Sequence, residues 1–209
     1  MAVIEMGANH RKEIEGYCRY TLPTHGLITN CGKAHLEGFG SMEGVRKGKG
    51  ELYDYLSGND GTAFIYADYD YLLTMSAAVK QIVKYGTTDG LVQGNIIANE
   101  PFLKVGISAG LPTIHSIQTQ LVGDYNLPNI LCAVVIGKYF SVPEEKIKAA
   151  IENYAPSNSR SQLIQRGSNT FILDAYNANP ASMEAAIDNF AKLSATKKIL
   201  MLGGMMELG

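Results

Sequence analysis

The sequence predicts an α/β fold: a mostly parallel sheet flanked by helices, an additional small β-rich portion at about 80–120, and then a βαβ unit. Along residues 1–78, short apolar runs alternate with segments of helical periodicity, which is typical of parallel strands joined by helices. Residues 80–120 contain short runs that are rich in β-branched residues and separated by glycines, which favour strands connected by hairpins. After residue 159 the alternation of strand and helix resumes.

The first part of the chain contains three predicted strands and three predicted helices. The strands lie at 2–6, 26–31 and 62–66, and the helices at 11–20, 42–56 and 68–78. Ser41 is suited to cap helix 42–56, because its hydroxyl can accept a backbone N–H of the first turn. The apolar residues of this helix share one face, and Lys49 falls in the middle of that face. They are Met42, Val45, Leu52, Tyr53 and Leu56.

The remainder of the chain is divided by a polar, proline-bearing segment at 155–159 that is typical of a linker. Before it we predict strands at 82–85, 90–93, 103–107 and 113–121, and helices at 126–140 and 143–153. Ser141 and Glu144 have the spacing of a capping box. After the linker, strand 170–174, a helix that starts at Asn179-Pro180, and strand 198–202 form the βαβ unit. We therefore predict two domains, 1–156 and 157–209.

Composition and charge exclude several classes of function. The chain has 209 residues and a formal net charge of −2, which gives no electrostatic case for a nucleic acid or an anionic membrane as a partner. Its three cysteines form no CxxC pair, which favours the reduced thiols of a cytoplasmic protein. No apolar run reaches the roughly 18 residues of a membrane span. The chain opens and closes close to predicted strands, so we expect a fragment of a longer protein.

Three ionisable residues in the first part of the chain could form one site. Glu5 ends a predicted strand and His35 lies in the loop after another, and ligands of open α/β sheets gather at the carboxyl ends of strands. Carboxylate and imidazole groups can both bind a divalent cation. A buried Lys49 could act as a neutral amine or take up CO₂ as a carbamate. The alternative is structural: His35 caps a loop, and Lys49 extends past the apolar face to solvent.

A second group of candidates lies around and after the linker. The amides of Asn126 and Asn129 could bind the edge of a base, or they could simply cap the helix. Asp174 ends a strand, where a ribose hydroxyl is a common partner, or it is an ordinary loop acid. Arg160 could reach a phosphate near the domain junction, although surface arginines are common.

The phosphate-binding sequence G-x-x-x-x-G-K-[ST] does not occur in the chain. Gly32-Lys33 and Gly48-Lys49 lack both the glycine spacing and the following Ser or Thr. A nucleotide site built only from these residues would therefore lack its phosphate cradle.

Several motifs together resemble the Mur ligases, over essentially all 209 residues and in that family's order. They are Glu5-Met-Gly-Ala-Asn-His10, Ile28-Thr-Asn-Cys-Gly-Lys-Ala-His-Leu-Glu-Gly-Phe-Gly-Ser41, Lys49-Gly-Glu51, Tyr125-Asn-Leu-Pro-Asn129, Asp174-Ala-Tyr-Asn-Ala-Asn-Pro-Ala-Ser-Met183 and Leu202-Gly-Gly-Met-Met-Glu-Leu-Gly209. The resemblance implies that 1–156 is the central ATP-binding domain without its phosphate-loop part. It implies that 157–209 begins the Rossmann-like C-terminal domain.

The resemblance also implies a reaction and a set of site residues. The reaction joins D-Ala-D-Ala to UDP-MurNAc-tripeptide in bacterial peptidoglycan precursor synthesis, with ATP and Mg²⁺, through an acyl phosphate. Glu5 and His35 would bind Mg²⁺, and a carbamylated Lys49 would hold the second metal. The remaining positions implied are Asn126 and Asn129 for adenine, Asp174 for ribose, Arg160 for phosphate, and Asn177 and Asn179 for the dipeptide.

Three departures from the family pattern and three alternatives remain. Gly203-Gly204 stands where Gly-Asp is common, Lys12 replaces a usual Gly, and Tyr125 stands where relatives often carry His. The chain alone is expected to be inactive. The alternatives are an amino-acid-adding Mur ligase, a folylpolyglutamate synthetase-like enzyme, or a non-catalytic module of the same fold.

Overall fold

The computed structural model describes residues 1–33, 35–157 and 159–205, and the chain divides into two compact units. One unit is Met1–Leu91, and the other begins at Val92. Asn158 of the predicted linker and the Met206-Glu-Leu-Gly209 end of the last motif lie outside the described residues, as does Ala34 of the His35 loop.

The first unit contains three parallel strands in the order β1-β2-β3. A parallel arrangement was predicted, but β3 comes from the stretch at 80–120 in which hairpin-connected strands were expected. Helices α3 and α4 pack against β2, and α1 packs against α3. Every residue of β2 is buried, which is typical of a parallel strand covered on both faces. The elements are α1 (Glu13–Thr21), β1 (His25–Leu27), α2 (Leu36–Phe39), α3 (Met42–Gly58), β2 (Thr62–Tyr66), α4 (Asp70–Met75) and β3 (Gln81–Gly86).

Helix α3 forms as its periodicity predicts. The Ser41 side chain accepts a hydrogen bond from the Gly44 backbone N–H at 3.0 Å, so the predicted cap is confirmed. The apolar face is buried at Val45, Leu52, Tyr53 and Leu56. Lys49 lies on this helix and is only partly exposed.

The predicted strand at 2–6 does not form. These residues have no assigned secondary structure, and Val3 and Ile4 are 93% and 55% exposed. A strand requires a neighbouring strand to satisfy its backbone groups, and an apolar run alone cannot supply one. This prediction from residue pattern was therefore wrong.

The second unit contains the rest of the predicted β-rich portion, with antiparallel strands in the order β4-β5-β6. Helix α5 packs against β4, and α6 packs against β6 and α5. The elements up to this point are β4 (Val92–Asn99), β5 (Leu103–Ala109), β6 (Ser116–Gln118), a 3₁₀ turn (Asp124–Asn126), α5 (Leu127–Tyr139) and α6 (Glu144–Glu152). Among the described residues, none of the helices has the length and apolar character needed to cross a membrane.

The predicted capping box before α6 is absent. Helix α6 begins at Glu144 after Pro143 and has no side-chain cap. The Glu144 carboxylate instead accepts hydrogen bonds from the backbone N–H and the hydroxyl of Thr113. A long-range acceptor role has replaced the local one, which spacing along the sequence cannot reveal.

The end of the chain differs in part from the predicted βαβ unit. Strands β7 (Gln162–Arg166) and β8 (Asn169–Leu173) form an antiparallel hairpin, of which only β8 was predicted. Helix α7 (Pro180–Lys192) follows, and Asn179 caps it in a reciprocal capping box with Ser182, so the predicted cap is confirmed. Residues 198–202 form no strand, and Ile199, Leu200, Met201 and Leu202 are exposed.

One packing contact joins the His35 loop to α3. The ring of Phe39, at the end of α2, lies against Gly48 of α3, and the Phe39 carbonyl lies against Gly44. A Cβ on Gly48 would be 2.4 Å from Phe39 Cε1, and a Cβ on Gly44 would be 1.9 Å from the Phe39 carbonyl oxygen. The two glycines therefore form the groove that receives Phe39, which is buried.

Replacement of Gly48 tests this packing. We expect Gly48→Ala to lower the free energy of unfolding by roughly 1–3 kcal/mol, because the added methyl group displaces the Phe39 ring. Gly50→Ala on the same helix is the matched control. Its Cβ would meet only Met75 Cε at 3.6 Å, so it should be neutral or stabilise by up to about 1 kcal/mol through helix propensity. Urea unfolding measures both variants, and equal stabilities would contradict the packing described.

Candidate functional site

The His35 loop contacts the segment that follows Glu5. His35 precedes α2 with a left-handed φ of 53°, and Gly38 lies within α2. A Cβ on Gly38 would be 2.1 Å from the Asn9 carbonyl oxygen and 3.2 Å from His10 Nε2. Only glycine allows this close approach. The loop is therefore packed between residues 9–10 on one side and α3 on the other.

The Lys49 side chain contacts the segment that follows β1. Its Nζ donates a hydrogen bond to the Asn30 carbonyl at 2.7 Å. No carboxylate of the described residues forms an ion pair with it. Burial lowers the pKa of Lys49 below its ordinary value of 10.5. Neighbouring Cys31 is also buried, and this burial raises the pKa of its thiol. The positive charges of Lys49 and Arg46 lower that pKa, but their effect is smaller than that of burial.

Two glutamates hold the segment between Glu5 and α1. Glu51 of α3 accepts the backbone N–H groups of Lys12 and Glu15, at 2.6 and 3.0 Å, and so caps the N-terminus of α1. Glu13 accepts the backbone N–H groups of Asn9 and His10. These hydrogen bonds lower the pKa of Glu13. The loop after Glu5 is thereby tied to both helices, although Glu5 itself is exposed.

The structure places the His35 loop against residues 9–10 and against α3, which carries Lys49, but it describes no contact of Glu5 with either of them. Within residues 1–33, 35–157 and 159–205, no three His, Cys, Asp or Glu side chains form a group that could hold a metal. The predicted set contains only two such side chains, and its third member is a lysine. A metal site built from these three residues therefore requires that Lys49 carry a group whose oxygen atoms can bind the metal.

In the second unit, the two asparagines beside α5 contact each other. Asn126 Nδ2 donates to the Val122 carbonyl at 3.0 Å and makes no cap hydrogen bond to the helix. Asn129 Nδ2 donates to Asn126 Oδ1 at 3.3 Å. Asn129 is exposed, so its carbonyl oxygen and second amide hydrogen face solvent. Capping therefore does not account for either side chain.

Asp174 belongs to a chain of three hydrogen-bonded side chains. Tyr125 Oη lies 2.5 Å from Ser161 Oγ, and Ser161 Oγ donates to Asp174 Oδ2 at 3.2 Å. Ser161 is 6% exposed and has a left-handed φ of 49°. Burial raises the pKa of Tyr125, so the phenol remains protonated. Asp174 is thus linked to the residue that immediately precedes Asn126.

The remaining predicted residues lie on the surface of the second unit. The Arg160 guanidinium lies 4.0 Å from the centre of the Tyr176 ring, a cation–π arrangement that restrains an exposed arginine. Asn177 Oδ1 accepts the Ala178 backbone N–H at 2.8 Å. Asn179 Oδ1 accepts the Ser182 backbone N–H at 2.9 Å. Both amide oxygens are therefore already used within the loop.

Three residues of these two groups were not predicted from the sequence. Tyr71 accepts a hydrogen bond from the Cys31 backbone N–H, Ser161 bridges Tyr125 and Asp174, and Phe39 fills the glycine groove. The partners of Tyr71 and Ser161 lie far away in the sequence, so no local pattern indicates those contacts. The spacing of Gly44 and Gly48 on one helix face is the only signal that could have indicated the groove.

Two family models match the chain: the Mur ligase middle domain over residues 1–137, and the Mur ligase glutamate ligase domain over residues 159–209. The chain belongs to the Mur ligase family.

Among curated proteins, the chain is similar to UDP-N-acetylmuramoyl-tripeptide–D-alanyl-D-alanine ligases. It is 33% identical to that of Escherichia coli K12, covering 100% of this chain and 47% of the relative. It is 34% identical to that of Haemophilus influenzae, covering 100% of this chain and 45% of the relative. The chain thus spans about half the length of the curated relatives it matches.

Among solved structures, the chain is similar to MurF from Acinetobacter baumannii. The TM-score is 0.87 at 30% identity, covering 100% of this chain and 46% of that one. A MurF ligase from Thermotoga maritima, solved in complex with ADP, has a TM-score of 0.85 at 20% identity, covering 98% and 47% of the two chains. The second likeness bears on the fold alone.

The lowered pKa of Lys49 predicts a pH dependence of stability. Between the native pKa and 10.5, the unfolded chain binds more protons at this residue than the folded one. The free energy of unfolding should therefore rise with pH across that window. We expect the stability difference between the wild type and Lys49→Met to move in favour of the wild type as the pH approaches 10.5. Urea unfolding at several pH values measures it.

The exposed Lys47 on the same helix provides the control. The matched comparison is the difference between the wild type and Lys47→Met over the same pH range. Equal slopes for the two variants would contradict the assignment to Lys49.

Proposed function

We propose that the chain is part of an ATP-dependent ligase that joins D-Ala-D-Ala to UDP-MurNAc-tripeptide. The observation that carries the proposal is the partly buried Lys49, which lies without an ion-pair partner among the described residues and donates to the Asn30 carbonyl at 2.7 Å. The similarity to UDP-N-acetylmuramoyl-tripeptide–D-alanyl-D-alanine ligases over the whole of this chain supports the choice of substrate. We further propose the two-domain division at residues 156 and 157, a bacterial source and a cytoplasmic location.

In the first unit, the donor set fits Mg²⁺ if Lys49 carries a carbamate. An ammonium group cannot bind a metal, but burial favours the neutral amine that reacts with CO₂. The oxygen atoms of the carbamate would join the Glu5 carboxylate and the His35 imidazole as metal ligands. Mg²⁺ prefers oxygen ligands. Glu51 and Gly38 support the segments that carry these side chains. Bound Mg²⁺ would neutralise charge on a transferring phosphoryl group.

In the second unit, the residues have the chemistry to bind a nucleoside. The exposed amide of Asn129 can pair with the edge of adenine, since an asparagine amide offers one donor and one acceptor in the required geometry. Asn126 orients it through their mutual hydrogen bond. Asp174, restrained by Ser161, can accept ribose hydroxyls. Arg160 can offer a guanidinium to phosphate. Asn177 and Asn179 are assigned to the incoming dipeptide.

The reaction requires two chemical steps. The terminal carboxylate of the tripeptide attacks the γ-phosphorus of ATP, which forms an acyl phosphate and releases ADP. The amine of D-Ala-D-Ala then adds to the acyl carbon, loses a proton, and expels inorganic phosphate from the tetrahedral intermediate. The protein supplies position and positive charge for both steps.

The test is a ligation assay on the product of the open reading frame that encodes this chain. We expect phosphate release from ATP that requires UDP-MurNAc-tripeptide and D-Ala-D-Ala. Lys49→Ala should lower kcat by about 10²–10³-fold, because charge stabilisation at the transferring group is lost. Lys47→Ala should leave the rate unchanged. The isolated 209-residue chain should be inactive, since it contains no G-x-x-x-x-G-K-[ST] sequence.

Three results would argue against the proposal. Equal rates for Lys49→Ala and the wild type would favour a non-catalytic module. A preference for a single amino acid over D-Ala-D-Ala would favour another amide ligase of the family. Ligation by the isolated 209-residue chain would contradict the expected loss of activity.

A further prediction concerns adenine binding. We expect Asn129→Ala to raise the KM for ATP about tenfold with a smaller effect on kcat, because a paired amide contributes roughly 1–3 kcal/mol to base recognition. Asn153→Ala is the control, since Asn153 Nδ2 donates only to the Ala149 carbonyl on α6. The measurement is initial rate against ATP concentration. An unchanged KM in Asn129→Ala would remove this residue from the nucleotide site.

A further inference from the structure

One peptide group beside Lys49 is held from both sides. The carbonyl of the Asn30–Cys31 peptide accepts the Lys49 Nζ–H at 2.7 Å, and its N–H donates to Tyr71 Oη at 3.1 Å. A trans peptide unit is planar, with its N–H and C=O pointing in opposite directions. A hydrogen bond that fixes the N–H therefore also fixes the direction in which the carbonyl faces Lys49.

The Tyr71 side chain is itself held in place. Its ring stacks on the Tyr69 ring, with centroids 5.4 Å apart and planes 16° apart. The Arg46 guanidinium lies 5.0 Å from the ring centre. Arg46 belongs to α3, one turn before Lys49, so both sides of the peptide are anchored to the same helix. The hydroxyl of Tyr71 therefore has a defined position relative to Lys49.

We propose that Tyr71 is a positioning residue that acts on Lys49 through the Asn30–Cys31 peptide and so favours the lysine carbamate. The inference rests on the proposed function, in which Lys49 is carbamylated. Tyr71 contacts neither substrate nor metal in this role. It keeps the carbonyl acceptor in place, and the carbonyl limits rotation of the terminal Cε–Nζ bond.

The chemistry of carbamate formation is compatible with this hydrogen bond. The lone pair of the neutral Nζ attacks the carbon of CO₂, an N–C bond forms, and one proton passes from Nζ to water. One hydrogen remains on Nζ, so the Asn30 carbonyl still has a donor after the reaction. An oriented N–H directs the new carboxylate group, since the carbamate is planar in the same way as an amide.

Tyr71→Phe tests the inference, because it removes the acceptor and retains the stacked ring. Tyr69→Phe is the matched control, since it removes a neighbouring hydroxyl that makes no described contact with the peptide. The 209-residue chain is titrated with ¹³C-bicarbonate, and the carbamate is observed by ¹³C NMR with Lys49→Met as the blank. Tyr71→Phe should need about fivefold more bicarbonate for half occupancy, the effect of losing one neutral hydrogen bond. Tyr69→Phe should match the wild type.

A second readout follows the peptide itself. Amide hydrogen exchange at Cys31 should accelerate several-fold in Tyr71→Phe and remain unchanged in Tyr69→Phe. Equal bicarbonate dependence in the wild type and Tyr71→Phe would overturn the positioning role and leave carbamylation intact. No Lys49-dependent carbamate in the wild type would overturn the proposed state of Lys49 and this inference together.

Discussion

The packing of Phe39 into the groove formed by Gly44 and Gly48 is the constraint on which the first candidate site depends. A four-residue helix is too short to be stable through its own hydrogen bonds. The buried aromatic ring at its end supplies stabilisation that these hydrogen bonds cannot. The ring anchors the His35 loop beside Lys49, which follows Gly48 directly. On its other side, the same loop approaches the Asn9 carbonyl through Gly38. Phe39 and Gly38 of this loop are therefore explained by two close contacts, each of which requires a glycine.

The lysine on the apolar face has a physical explanation in this arrangement. Burial makes the charged form of Lys49 unfavourable. Its amine donates to a carbonyl oxygen, and it has no ion-pair partner among the described residues. A lysine kept only for stability would cost less if its amine reached solvent or a carboxylate. The arrangement instead favours reactivity at Nζ. Such perturbed groups concentrate at functional sites, although structural networks also perturb them.

The sequence predicted the elements whose information is local, and it was wrong where formation depends on a distant partner. Periodicity identified α3, α5 and α7, and the Ser41 and Asn179 caps were found because a cap and its helix are adjacent. The apolar runs at 2–6 and 198–202 form no strands, and Glu144 binds Thr113 rather than its own helix. At the site, Lys49 was identified by its place on an apolar face. Tyr71 and Ser161 were missed, because their contacts span 40 and 36 residues.

The chain of Tyr125, Ser161 and Asp174 has one further consequence, which concerns the order of its hydrogens. A serine hydroxyl carries a single hydrogen, and here it is given to the Asp174 carboxylate. The phenol of Tyr125 must therefore donate to Ser161, so both O–H dipoles point toward Asp174. Asp174 Oδ2 therefore accepts a hydrogen bond from a buried serine, while the residue itself is exposed. A diol that approaches Asp174 would therefore meet a hydrogen-bond acceptor, because the direction of both hydroxyl groups in the chain is already set.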